Sequence, residues 1–88
     1  MAAESREGRL VALFESIHHV LAAERALRQG GVWCDLVPVP RELSSDCGMA
    51  IEIRLQDLGA ARSVLLEAGA RCRGLYHRRP GGYEEVPF

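Results

Sequence analysis

The chain has 88 residues, 48% of them apolar, enough for one compact core but too few for a second domain or a deep enclosed cavity. Its 11 basic and 12 acidic side chains leave a net charge of -1, without the basic footprint of a nucleic-acid binder. No apolar run reaches the roughly 18 residues of a membrane span, and residues 1–8 lack the apolar stretch of a secretory signal, so the expected setting is cytoplasmic and off the membrane.

Residues 1–8 are polar, end at Gly8 and read as a flexible arm. Residues 9–14, Arg-Leu-Val-Ala-Leu-Phe, form the short apolar run of a buried central strand. Ser16 is placed to cap a helix, its hydroxyl accepting from a backbone N–H left unpaired in the first turn. Ile17, Val20, Leu21, Glu24 and Leu27 follow helical spacing, with Ala23 and Ala26 as small packing positions, and Gly30-Gly31 is the stop. Residues 33–39 read as a second strand, confined to a sheet edge because Pro38 and Pro40 lack donors. A polar loop occupies 40–48. Residues 49–55 alternate: Met49, Ile51, Ile53 and Leu55 are apolar, and Glu52 and Arg54 are expected in solvent. Asp57 is expected to cap a second helix with Leu58, Ala61, Leu65 and Ala68 on one stripe, ended by Gly69. Residues 72–77 form a fourth strand interrupted by Gly74, and 79–88, with Pro80, Gly81, Gly82 and Pro87, read as a flexible tail.

The order β-α-β-β-α-β over 9–78 predicts a single α+β domain: a ferredoxin-like sandwich with an antiparallel sheet of order 4-1-3-2 and two helices on one face. That fold by itself implies no function. It does predict an arrangement. The 40–48 loop, the start of helix one with Ser16, Ile17, His18 and His19, and Cys72 gather at one end of the sheet, and Cys34 falls at the other.

Three cysteines, Cys34, Cys47 and Cys72, are an odd set with no close pair, unlike a disulfide framework or a structural zinc site. Cys47 stands between Asp46 and Gly48, after Ser44 and Ser45, just before a strand. A thiolate is the reactive form, and a helix N-terminus or a cation such as Arg41 lowers a thiol's ordinary pKa of about 8.5. Two readings of Cys47 stand side by side here: a reactive thiol, or a loop cysteine packed as a small hydrophobe. One of His18 and His19, which diverge by about 100° on a helix, is a candidate base or partner for the thiol. Cys72 would sit across strand one from Cys47, roughly 9–10 Å away at ordinary strand spacing. A disulfide needs Cα atoms within about 7 Å, which favours a structural Cys72 over a resolving one. A weak thiolate–imidazole metal site from Cys47, Cys72 and a histidine lacks any pair at ligand spacing.

The string Pro40-Arg41-x-x-Ser44-x-x-Cys47-Gly48 closely resembles the small family of selenium/sulfur carrier protein-like domains. The supporting pattern also fits: Phe14-Glu15-Ser16 leading into His18-His19, then Ala23-Glu24-Arg25-Ala26-Leu27, and an Ala50-Ile51 strand after the Cys-Gly pair. The resemblance spans about residues 10–77. It implies that Cys47 is the carrier thiol, shaped by Ser44, Ser45 and Gly48. The function it implies is a non-enzymatic carrier that needs no cofactor or metal. Zero-valent sulfur or selenium would be held on Cys47 as a persulfide or selenosulfide. A donor protein such as a cysteine desulfurase would load it and an acceptor protein would take it. The competing readings are a ferredoxin-like regulatory or protein-interaction module and a metal-binding domain. The edges at strand two and the tail leave a homodimer open, with Pro38 and Pro40 acting against it.

Overall fold

The computed structural model describes residues 8–43, 48–70 and 72–87. Strand β1, Arg9–Leu13, leads through Ser16 into helix α1, Ile17–Gln29. Strand β2, Asp35–Pro38, and strand β3, Met49–Arg54, form a hairpin. A single 3-10 turn, Leu55–Asp57, feeds helix α2, Leu58–Glu67. Strand β4, Gly74–Arg79, and strand β5, Gly82–Val86, form a second hairpin.

All neighbouring strands are antiparallel, in the order β2-β3-β1-β4-β5. The four expected strands keep their relative places, but the sheet is five-stranded rather than the four-stranded 4-1-3-2 sheet of a plain ferredoxin-like fold. The fifth strand lies in the segment read as a tail. Arg79 pairs with Gly82, so Pro80 and Gly81 are the two-residue loop of a hairpin, a connection that antiparallel strands favour.

β1 takes the centre because it is apolar on both faces. Leu10 and Ala12, with Phe14 just beyond, Ile51 and Ile53 of β3 and Leu75 of β4 form the face under the helices. Against them pack Val20, Ala23 and Leu27 of α1 and Ala61 and Leu65 of α2, all buried. Both helices therefore cover one face, as the apolar spacing requires.

The opposite face is not the wet surface that the alternation of residues 49–55 suggests. Val11, Leu13 and Ala50 are buried there, with Val37, Val39, Leu43, Tyr76 and Tyr83 packed around them. Glu52, expected in solvent, is 1% exposed. Its burial is made tolerable by Arg9 Nη1, which donates to Glu52 Oε1 at 3.1 Å. Arg9 in turn lies over the Trp33 ring, 4.4 Å from its centroid, with Arg54 at 5.7 Å.

Asp57 stands at the α2 N-cap but makes no capping bond there. Its carboxylate instead accepts from Arg54 Nε at 2.8 Å, a charge-assisted bond that competes with the backbone amides for the same oxygens.

Candidate functional site

The register fixes which groups share an end of the sheet. Leu13 is opposite Gly74, and Pro38 is opposite Met49. The β2–β3 connection, the start of α1 and the start of β4 therefore lie at one end. Cys34, just before β2, lies at the other end with Arg9, Glu52 and Arg54. That arrangement is the one the strand directions predicted.

Both ends of the β2–β3 connection are anchored. Val39 donates its backbone N–H to the Gly48 carbonyl at 3.1 Å, extending the ladder one step past Met49. Pro40 begins a turn closed by Leu43 N–H to Pro40 C=O at 2.9 Å. Leu43 and Val39 then pack on the Val11, Leu13 and Ala50 cluster. The connection thus leaves the sheet on the face away from the helices, a direction set by the apolar Leu43 within an otherwise polar segment. Gly48 returns the chain to β3 with φ +81, a conformation that glycine adopts at no steric cost. A Cβ at Gly48 would meet nothing within 4 Å. Ser44, Ser45 and Cys47, with Asp46, lie outside the described residues. Arg41 is exposed in the turn and has no side-chain partner among the described residues.

At the start of α1, Ser16 is the N-cap as expected, accepting from His19 N–H at 3.3 Å. The structure adds a contact that spacing alone did not single out: Ser16 Oγ lies 2.7 Å from His19 Nδ1. The i to i+3 separation of a cap hydroxyl and a histidine was the available signal. His18 and His19 are both exposed, and among the described residues neither hydrogen-bonds to the 40–43 turn or to Gly48.

The other two thiols are held in packing. Cys34 is buried in the core under the helices, and burial pushes its pKa up, offset only in part by Arg28. Cys72 donates its thiol to the Gly74 carbonyl at 3.1 Å. Burial pushes its pKa up to about 11, against the opposing effect of the Gly74 and Leu13 backbone. Neither favours a thiolate at neutral pH. Among the described residues no group of three or more His, Cys, Asp or Glu is arranged to hold a metal ion, and no helix is long and apolar enough to cross a membrane.

A family model described as "Putative Se/S carrier protein-like" matches residues 9–77. The chain belongs to this family. The match begins with β1 and ends within β4, so β5 falls beyond it. No curated protein and no solved structure shows significant similarity to the chain.

Proposed function

We propose that this family member is a non-enzymatic carrier that holds zero-valent sulfur or selenium on Cys47 and passes it to an acceptor protein. The observation that carries the reading is the contrast among its three cysteines. Cys34 and Cys72 sit in packed surroundings that raise their pKa. Cys47 belongs to the loop string that resembles the carrier family, beside a glycine whose missing side chain leaves open space.

The step is a group transfer without net oxidation. The Cys47 thiolate attacks the terminal sulfur of a donor persulfide, the donor's S–S bond breaks, and the donor cysteine leaves as a thiolate. Cys47 then carries the persulfide, or a selenosulfide when selenium is transferred. An acceptor nucleophile takes the terminal atom in the same way and returns Cys47 to a thiolate. Such exchange depends on thiolate character and access rather than on a deep pocket. A protein that generates a cysteine persulfide, such as a cysteine desulfurase, is the class of donor that fits.

The test is intact-mass and peptide analysis after incubation with a desulfurase and free cysteine. One added sulfur on Cys47, removed by reductant and missing from Cys47→Ser, is the expected result. An equal adduct on Cys47→Ser, or none on the native chain, overturns the reading.

A further inference from the structure

We propose that the free edge of β5 pairs antiparallel with β5 of a second copy, across a two-fold axis at Glu84, joining two five-stranded sheets into one. The register carries the argument. In an antiparallel sheet, alternate residues of a strand turn their N–H and C=O to one neighbour, and the residues between turn theirs to the other. Val39 N–H bonds to Gly48 C=O on the same register that sets Val37 opposite Ala50. Val37 and Ala50 are therefore a bonded pair, and the alternation passes across the sheet to Ala12 with Ile51, Val11 with Tyr76 and His77 with Glu84. Glu84 thus turns its backbone groups inward to β4, and Tyr83 and Glu85 turn theirs outward.

The two edges of the sheet differ. On β2 the same alternation puts Leu36 and Pro38 outward, so Pro38 removes a donor from the edge and none from the ladder. On β5 the outward N–H and C=O groups of Tyr83 and Glu85 have no partner among the described residues. Pro87 closes this window, because it has no N–H and its C=O accepts from Arg62 Nη2 at 2.8 Å. One competent edge gives a closed pair, whereas two would give an open stack.

The window is complementary to itself. With the axis at Glu84, Tyr83 faces Glu85 of the second copy and Glu85 faces its Tyr83, so every outward group bonds. A shift one way brings Pro87, without a donor, into the ladder, and a shift the other way brings in the Pro80-Gly81 loop. Charge supports the same register. On the helix-free face Arg78 lies over the Tyr83 ring, 5.2 Å from its centroid, with no carboxylate partner among the described residues. Pairing sets Glu85 of the second copy beside that ring. On the helix side Glu84 meets its own copy, a like-charge contact that Arg79 Nε, 3.6 Å from the Glu84 carboxylate, offsets in each chain.

The inference does not rest on the role of Cys47, and β5 lies beyond the residues 9–77 matched by the family. The test is sedimentation equilibrium of the full chain over a dilution series, with amide hydrogen exchange at its two ends. A monomer–dimer equilibrium is expected, with the Tyr83 and Glu85 amides protected only on association. Glu85→Pro removes an outward N–H that the β4–β5 ladder does not use, so it should keep the folded spectrum and abolish the dimer. Glu85→Gln should weaken the dimer about twofold to fivefold, the scale of a cross-strand pair, and Glu84→Thr, which removes the like charges at the axis, should tighten it by a similar factor. These two decide the matter if Glu85→Pro fails to fold. A monomer at about 1 mM chain, the weak end of specific association, overturns the proposal. So does a dimer that survives Glu85→Pro, or one weakened by Glu84→Thr and indifferent to Glu85→Gln.

Discussion

Glu52 accepts a 3.1 Å hydrogen bond from Arg9 Nη1 with its own side chain only 2% exposed, on the sheet face that carries no helix. A buried carboxylate without its cation costs several kcal/mol, so this pair decides whether that face can close over Val11 and Ala50. Arg9→Leu is expected to lower stability by about 2–3 kcal/mol, because it removes a cation from the buried Glu52 carboxylate. The double variant Arg9→Leu with Glu52→Leu should recover part of that loss, since no charge is left buried. Trp33→Leu, which removes only the ring under Arg9, should cost about 0.5–1 kcal/mol. Urea unfolding of the four proteins measures all three terms, and a double variant less stable than Arg9→Leu contradicts the account.

The same residue shows where the sequence was legible and where it was not. β1, α1, the β2–β3 hairpin and the stripe on α2 follow from apolar spacing, cap and stop residues, and those signals are local. Glu52 in a clean alternation signals a wet face, and a tertiary partner, Arg9, 43 positions away, reverses that. The 79–88 segment misleads for a different reason. Pro80-Gly81 between Tyr76-His77 and Tyr83-Glu84 is hairpin chemistry, but a cluster of Pro and Gly near a chain end looks like a tail. The end of the sheet that carries the loop was predictable from strand directions. The Ser16–His19 contact was legible only as a spacing, a cap hydroxyl and a histidine three residues on, because that spacing does not say which ring atom meets the hydroxyl.

Cys72 makes stability depend on pH in a defined window. Its folded pKa of about 11 lies above the ordinary thiol value, so the folded state holds the proton more tightly than the unfolded chain. The stabilisation is complete below the unfolded pKa, near 8.5. It is lost progressively as pH rises from there through the folded pKa of about 11. The total is on the order of 3 kcal/mol. Cys72→Ala should flatten that part of the profile, whatever it does to stability at neutral pH. Chemical denaturation across this range is the measurement, and an unchanged slope contradicts the assignment.

Two glycines should respond with opposite signs to the same substitution. A Cβ at Gly30 would lie 2.8 Å from Val64 Cγ2, where α1 ends against α2. Valine is stiff about χ1 in a helix, so the contact is not relieved cheaply. Gly30→Ala is expected to cost about 1–2 kcal/mol by overpacking. Gly59, inside α2, has open space around the same position. Gly59→Ala is expected to gain about 0.5 kcal/mol through helix propensity and a less flexible unfolded chain. Paired thermal melts decide the signs, and two changes of the same sign contradict the packing at Gly30.

Gly48 separates the conformation of the connection from the chemistry proposed for Cys47. Its φ of +81 penalises any residue with a Cβ, while the space around it is open. The cost of substitution is therefore one of backbone preference and not of collision. Gly48→Ala is expected to lose about 1 kcal/mol, and Gly48→Asn less, because asparagine visits the left-handed region more readily. A β-branched residue should do worst, and Gly48→Val should weaken the Val39 N–H to Gly48 C=O bond that closes the ladder. If that geometry presents the adjacent thiol, the rate of sulfur loading should fall in the same order, Asn before Ala before Val, at temperatures where all three remain folded. Parallel measurement of melts and loading rates reads both scales. Loading that stays constant while stability falls would show that the left-handed turn serves the hairpin alone and that presentation of Cys47 does not depend on it.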